Sequence, residues 1–400
     1  MDKIVAIGAG QAGASLVARL RGAGFDGRIT LIGDEGVPPY QRPPLSKAYL
    51  MGEMAQERLF LRPEAFYAEH AIELRLGTPV SGIDRAARRV ALGSEVLDYD
   101  HLILCTGGAP NRLPAALGGT LQGVFVIRSL ADVDALAPEV VAGRQVVILG
   151  GGYIGLEAAA VAAKLGLRVH VIEAAPRILS RVAAPETADA IRALHHAHGV
   201  TIHEETAVAR IEGAGRVTGV ALQDGRHLAA DLVILGIGVR PRVGLAEAAG
   251  LTLDNGIAVD AMGRSSDPRI WAAGDCASFP WRGRRVRLES VQNAIEQAEL
   301  VADNILGAAR AYDPVPWFWS DQYDLKLQIA GLHAGYDRVV TRTGPARSHW
   351  YYAGDQFLAV DALGDPRAYM VGKRLLEQGR SPDPARLRDP RVELKDLLRV

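Results

Sequence analysis

Cysteine is nearly absent. The 400 residues contain two, Cys105 and Cys276, far apart along the chain. They give no disulfide framework and no metal-ligand spacing, which fits a reducing cytosol. No apolar run reaches the ~18 residues of a membrane span, so no membrane protein is expected. No signal-peptide core with a cleavage site is recognisable, so a cytoplasmic protein is expected. An excess of either charge is also missing: 45 Lys and Arg stand against 46 Asp and Glu, a formal net charge of −1. Nucleic-acid binders usually carry a strong basic excess, so nucleic acid is not the expected partner. Low-complexity segments are absent. What remains is ordinary globular composition, 48% apolar and 23% charged. The length allows two or three domains of ~150 residues, with large cores.

One device occurs twice. Near the N-terminus, "KIVAIGAGQAGASLVARL" reads as a buried parallel strand over Lys3–Ile7, then Gly8, Gly10 and Gly13 in G-x-G-x-x-G spacing, then a helix over Ala14–Leu20. A second strand, "RITLIGDE", ends in Asp34 and Glu35. From Gln145 the pattern returns: "QVVILG", then Gly150, Gly152 and Gly155, the helix "LEAAAVAAKLG", and the strand "RVHVIE" closing on Glu173. In such a fingerprint the first glycine permits the tight turn and the second lets backbone approach a pyrophosphate. The third lets the helix pack on the strand. Phosphates then sit at the helix N-terminus, and an acid about 20 residues on binds a ribose. Two fingerprints imply two dinucleotides, and the natural pair is FAD and a nicotinamide nucleotide. Hydride transfer between them would be carried by the cofactors, with the protein positioning them. The N-terminal copy is the better FAD site, because "AAGDCAS" would bring Asp275 towards the ribityl or pyrophosphate group; Asp275 also reads as a helix N-cap. The second copy would hold NADH: a carboxylate at Glu173 favours a free 2′-hydroxyl over a 2′-phosphate. Arg177 close by is read as a solvated loop charge.

Further buried strands are "YDHLILCTGG", "ADLVILGIGVRP" and "DPRIWAAGDCA". After Pro314 the texture changes to short alternating strands ("RVVTRTG", "SHWYYAGDQFLAVDALG") and a helix from about Asp365 to Gln378. A boundary falls near Tyr312–Pro316, and the Pro/Arg-rich tail Gly379–Arg391 reads as a surface strap. His195, His196 and His198 in "ALHHAHG" could suggest a metal cluster. They read instead as an exposed helix end, and no metal site is expected.

The whole chain resembles the FAD-dependent ferredoxin reductases of the putidaredoxin reductase type, which are similar to the reductases of ring-hydroxylating dioxygenases. The resemblance rests on "PPYQRPPLSKAYL", "GGGYIGLE", "GIGVRP", "AAGDCA", "ESVQNAIEQA" and "PWFWSDQYDLKLQIAG", in that order and spacing. It implies an α/β fold with two Rossmann-like nucleotide-binding domains and a C-terminal α+β domain. The FAD domain would be 1–111 and 240–314, the NAD domain 112–239, and the C-terminal domain 315–400. It places FAD contacts on Ala12, Asp34 or Glu35, Arg42, Lys47, Val80, Arg128, Asp275 and Val291. Lys47 would lie beside the flavin, paired with Glu157; on the residues alone, a surface helix charge is the competing reading. Tyr153 and Ile154 would line the nicotinamide side. Trp319 would sit near the flavin edge facing the partner, while Trp317 and Phe318 read as packing residues.

A monomer is expected. The resemblance also implies that the protein takes a hydride from NADH and passes single electrons to a small acidic 2Fe-2S ferredoxin. That ferredoxin would feed a haem monooxygenase or aromatic-ring dioxygenase. Disulfide reductases of the superfamily carry a C-x-x-x-x-C pair after the first fingerprint; this chain has "RPPLSKAYL" there and no cysteine before Cys105, so a redox-active disulfide is excluded. An acidic partner asks for a basic dock, for which Arg282, Arg284, Arg285 and Arg287, or Lys373 and Arg374, are candidates. Rubredoxin reductase, monodehydroascorbate reductase and an NADH-responsive flavoprotein resembling apoptosis-inducing factor are the alternatives.

Overall fold

The computed structural model describes residues 2–344 and 346–399. It forms two compact units. The first contains the chain up to Gln41, Gln56–Ala109 and Arg240–Pro314. The second contains Arg42–Ala55, Pro110–Val239 and the chain from Val315.

The first unit is built on five parallel strands in the order Ile270–Ala272, His101–Leu104, Lys3–Ile7, Arg28–Ile32 and Ile72–Arg75. Their near-continuous apolar sequences follow from burial on both faces. The helices Gln11–Gly22 and Val291–Ile305 pack along each other, with Leu16, Val17, Leu20, Ala298 and Val301 buried in the shared core. The first of these helices starts a turn earlier than the apolar pattern suggests, at Gln11.

The second unit repeats the plan. Its parallel order is Thr201–His203, Arg168–Ile172, Gln145–Leu149, Leu232–Leu235 and Val124–Phe125. The registers coincide. Ile7 lies opposite Ile32 and Leu104, and Leu149 lies opposite Ile172 and Leu235. In both sheets the fingerprint strand has its neighbours on opposite sides, which makes its carboxyl end the switch point where ligands bind in such folds.

From Val315 onward the second unit carries an antiparallel sheet in the order Trp317–Gln322, Leu325–Gly331, Gln356–Leu363, Arg347–Ala353, Arg338–Thr343. Helix Pro366–Glu377 covers one face, burying Trp350, Val360 and Leu375. The tail is strapped down by Arg342, which donates to the carbonyls of Leu387, Asp389 and Val392. The architecture is thus α/β with two Rossmann-like sheets and a C-terminal α+β portion. No described helix is long and apolar enough to cross a membrane.

Candidate functional site

The two fingerprints share one geometry, and it separates the reasons for their glycines. Gly8 and Gly150 have φ of +114° and +107°. A Cβ there would lie 2.1 Å from the Cys105 carbonyl oxygen and 2.3 Å from that of Gly236. A Cβ on Gly13 or Gly155 would lie 2.1 Å from the oxygen of Gly8 or Gly150. These four glycines are demanded by the protein's own backbone. Gly10 and Gly152 are different: a Cβ on either would meet nothing within 4 Å. Other glycines of the chain are equally open; these two stand apart because each lies between a strand end and the N-terminus of a helix. The following helices begin with no side-chain cap and no acid in the first turn, which leaves their N–H groups available. The residues therefore fit a dinucleotide pyrophosphate at each helix N-terminus.

The ribose ends differ. Glu173 follows its strand directly; its Oε2 accepts the Gly151 N–H at 2.7 Å and its Oε1 the Ala175 N–H at 2.8 Å. A carboxylate has about four acceptor sites, so two remain for sugar hydroxyls. The equivalent position in the first copy is Gly33, where a Cβ would lie 2.6 Å from the Ala9 methyl. The acids there come later. Asp34 accepts from Arg242 at 2.8 Å, and Glu35 accepts from the buried Tyr40 hydroxyl at 2.5 Å. Val80 follows Thr78, whose N–H bonds the Gly33 carbonyl, so it lies near the same strand end. Gly274 packs against Ala12, its notional Cβ 3.1 Å from the alanine methyl, which brings the half-buried Asp275 to the first fingerprint. Val291 opens the second long helix of this unit, capped by Ser290.

Arg42, Lys47 and Arg128 lie in the second unit, where Arg42 donates to the Arg128 carbonyl at 2.6 Å. Tyr153, the first residue of the second fingerprint helix, stacks on Phe318 at 4.7 Å between centroids. Beside it Ile154 is 45% exposed, and Ile237, after the next strand, is 37% exposed. Two exposed isoleucines flanking a fingerprint offer an apolar surface for a planar ring. Trp319 is half-buried, 5.7 Å from Trp317 and 6.3 Å from Phe318.

Glu157, in the helix Tyr153–Lys164, is 3% exposed and pairs with Lys47 at 3.0 Å. Its Oε2 also accepts from Ser46 and its Oε1 from Ser320, each at 2.7 Å. Buried ion pairs persist where extra hydrogen bonds satisfy the remaining lone pairs, and that condition is met here. Lys47 is therefore no free surface charge.

Residues 2–298 match the family described as pyridine nucleotide-disulphide oxidoreductase, and residues 317–398 match the reductase C-terminal family. Putidaredoxin reductase of Pseudomonas putida is 41% identical over 99% of this chain and 97% of its own. A ferredoxin–NAD(P)(+) reductase of a Sphingomonas species is 43% identical over 99% and 97%. Among solved structures, the covalent putidaredoxin reductase–putidaredoxin complex aligns with TM-score 0.96 and 41% identity, covering 99% of this chain and 98% of that one. The chain belongs to the putidaredoxin reductase-type ferredoxin reductases. The "disulphide" of the family description does not extend to this reductase, whose Cys105 and Cys276 are both buried and free. Burial raises both thiols above the ordinary range.

The structure revises several side-chain readings in the reductase. Asp275 caps no helix, since a turn and then the strand Ala277–Trp281 follow it. The end of helix Pro185–Ala197 is exposed at His196 and His198, as expected, but His195 departs from that reading. It is fully buried, and its Nε2 meets Gln322 Oε1 at 2.8 Å. Arg177 is not a solvated charge: it is half-buried and donates to the Ala183 carbonyl at 2.7 Å. Of the arginine cluster, Arg285 donates to the Ser278 and Val259 carbonyls, and Arg287 pairs with Glu289 at 2.6 Å. Arg282 and Arg284 stack on Trp281. Sequence reasoning missed Ser46, Ser320 and Gln322. The strand offered no signal for the last two, since Ser320, Asp321 and Gln322 form a continuous polar run after Trp317–Trp319 rather than an alternation that would mark an inward face.

Proposed function

We propose that this chain is an NADH-dependent, FAD-containing ferredoxin reductase serving a haem monooxygenase or an aromatic-ring dioxygenase. The observation that carries the proposal is the pair of open middle glycines, Gly10 and Gly152, at matching switch points of two sheets. Two such cradles with no redox disulfide call for two dinucleotides exchanging electrons directly. The chemistry the bound cofactors supply is the conversion of a two-electron hydride transfer into single-electron steps.

The chain's own residues bind, orient and supply charge. We assign FAD binding to 1–111 with 240–314, NADH binding to 112–239, and partner docking to 315–400. Helix N–H groups beyond Gly10 and Gly152 hold the pyrophosphates. Glu173 keeps acceptor capacity for a ribose diol and repels a 2′-phosphate, which favours NADH. Tyr153, fixed by Phe318, and the exposed Ile154 form the apolar seat for the nicotinamide. Lys47, held by Glu157, provides fixed positive charge for the reduced flavin. Arg42, Val80, Arg128, Asp275 and Val291 complete the FAD contacts, and Trp319 stands on the partner's side.

The partner is an acidic 2Fe-2S ferredoxin meeting a monomeric reductase. Two buried free thiols suit a reducing compartment such as the cytoplasm. The test is NADH-dependent cytochrome c reduction by the FAD-loaded protein with and without a 2Fe-2S ferredoxin. A large saturable rise on adding ferredoxin is expected. Rapid flavin reduction by NADH with no ferredoxin effect would transfer the assignment to another acceptor.

A further inference from the structure

The Lys47–Glu157 pair is the inner end of a longer buried chain. Ser320 Oγ, which donates to Glu157, lies 3.1 Å from Gln322 Nε2. Gln322 Oε1 lies 2.8 Å from His195 Nε2. His195 Nδ1 meets the Tyr323 hydroxyl at 3.2 Å, and the Tyr323 ring stacks on His198 at 3.7 Å. Ser320, Gln322 and His195 are all within 1% of full burial. They come from one strand and from helix Pro185–Ala197, and Glu157 comes from the fingerprint helix.

The direction of every proton in this chain follows from its inner end. Glu157, paired with Lys47, offers only acceptor oxygens, so Ser320 must donate to it. The Ser320 oxygen then accepts, so Gln322 must turn its NH₂ group towards it. The Gln322 carbonyl is left facing His195, which must carry its proton on Nε2. Nδ1 is then bare, and it receives the Tyr323 hydroxyl. A flip of Gln322 would set two acceptors against each other at Ser320 and would force the His195 proton from Nε2 to Nδ1.

We propose that Gln322 and His195 are positioning residues for the Lys47–Glu157 pair: the His195 tautomer fixes the Gln322 amide, which fixes Ser320 and through it the Glu157 carboxylate that holds Lys47. The reading rests on the function proposed above. Burial supports it by pushing His195 down to about 4, which keeps the ring neutral, with Gln322 opposing that shift and His198 and His196 adding to it.

Two measurements test it. Nitrogen-15 NMR of the histidines in the full chain, assigned by comparison with His195→Gln, should show His195 protonated on Nε2 and bare on Nδ1 between about pH 6 and about pH 8. A proton on Nδ1 overturns the proposal, whatever the enzyme does. In the FAD-loaded protein, Gln322→Leu and His195→Phe should lower the two-electron flavin midpoint by about 30 mV, a tenfold change in equilibrium constant. His195→Gln keeps a donor within reach of Gln322 and should restore most of the loss. In a Lys47→Met background the shift should vanish. Equal shifts with and without Lys47 would mean a general structural role and would overturn the proposal. If NADH fails to reduce the bound flavin at all, the functional reading falls, while the tautomer and midpoint results still decide this one.

Discussion

Alanine at two glycines three residues apart should give opposite phenotypes. At Gly13 a methyl would lie 2.1 Å from the Gly8 carbonyl oxygen and 2.9 Å from Leu31. Backbone cannot yield by the ångström or more needed for van der Waals contact without disturbing the first turn. The cost expected for Gly13→Ala is about 3 kcal/mol or more of folding stability. At Gly10 the backbone angles, φ −101° and ψ −160°, are open to alanine, and the methyl meets no atom within 4 Å. Loss of a good N-cap is offset by a less flexible unfolded chain, so Gly10→Ala should change apoprotein stability by about 1 kcal/mol or less. Its methyl, however, fills the space reserved for the pyrophosphate, and FAD affinity should fall at least about tenfold, ~1.4 kcal/mol. Urea denaturation of the apoproteins and FAD titration by flavin fluorescence separate the two. Normal FAD binding by Gly10→Ala, or an unchanged denaturation midpoint for Gly13→Ala, would refute the division of labour among the glycines. Gly152 and Gly155 should repeat the contrast with NADH.

Glu173→Gln keeps an acceptor for one of two backbone N–H groups but loses the charge; KM for NADH should rise about tenfold and discrimination against NADPH should narrow, read from paired steady-state assays. Asp361, fully buried, is pushed up to about 7 by burial, against hydrogen bonds from Tyr351 and Thr187. A carboxyl raised from 3.8 favours folding at low pH, and that contribution, roughly 4 kcal/mol, is lost as pH rises to about 7. His195 and His349, both pushed down to about 4 by burial, act oppositely, adding stability as pH rises from about 4 to 6.5. Asp361→Asn should therefore make the urea midpoint climb more steeply through this window and gain at neutral pH; coincident wild-type and variant profiles would contradict the assignment. Charge reversal at Arg282 and Arg284 should raise KM for ferredoxin in a salt-dependent way, whereas reversal at Arg285 or Arg287 should lower the melting temperature, because those guanidiniums hold internal carbonyls. Equal kinetic effects at all four would argue against this split.

The parts of the fold that the sequence made legible are those whose physics is local. Gly8, Gly10 and Gly13 sit within six residues, and strand, turn and helix each leave a mark there. The strands after Pro314 showed themselves by alternation. The Lys47–Glu157 pairing came from family resemblance, because 110 residues separate the partners and no periodicity links them. The rest of that network was hidden for the same reason: Ser46, His195 and Gln322 meet only after distant segments fold together. His195 looked like part of a polar helix end because its neighbours His196 and His198 do face outward. Gln322 and Tyr323, arriving from a distant part of the chain, satisfy the two ring nitrogens of a histidine with no exposed surface. Arg285 and Arg287 read as a charge run, yet the carbonyls they bind carry no sequence signature.

The two copies of the fingerprint exclude a side chain next to the strand end in different ways. In the first, a Cβ on Gly33 would lie 2.6 Å from the Ala9 methyl; in the second, a Cβ on Gly151 would meet Ile178 at 2.6 Å before it met the Glu173 carboxylate at 3.2 Å. A carboxylate can therefore move onto position 33 only after the Ala9 methyl is gone, whereas Ala9→Gly by itself only opens space. A change of ribose preference in this copy has an order to it: the loop yields first, and the strand end changes second.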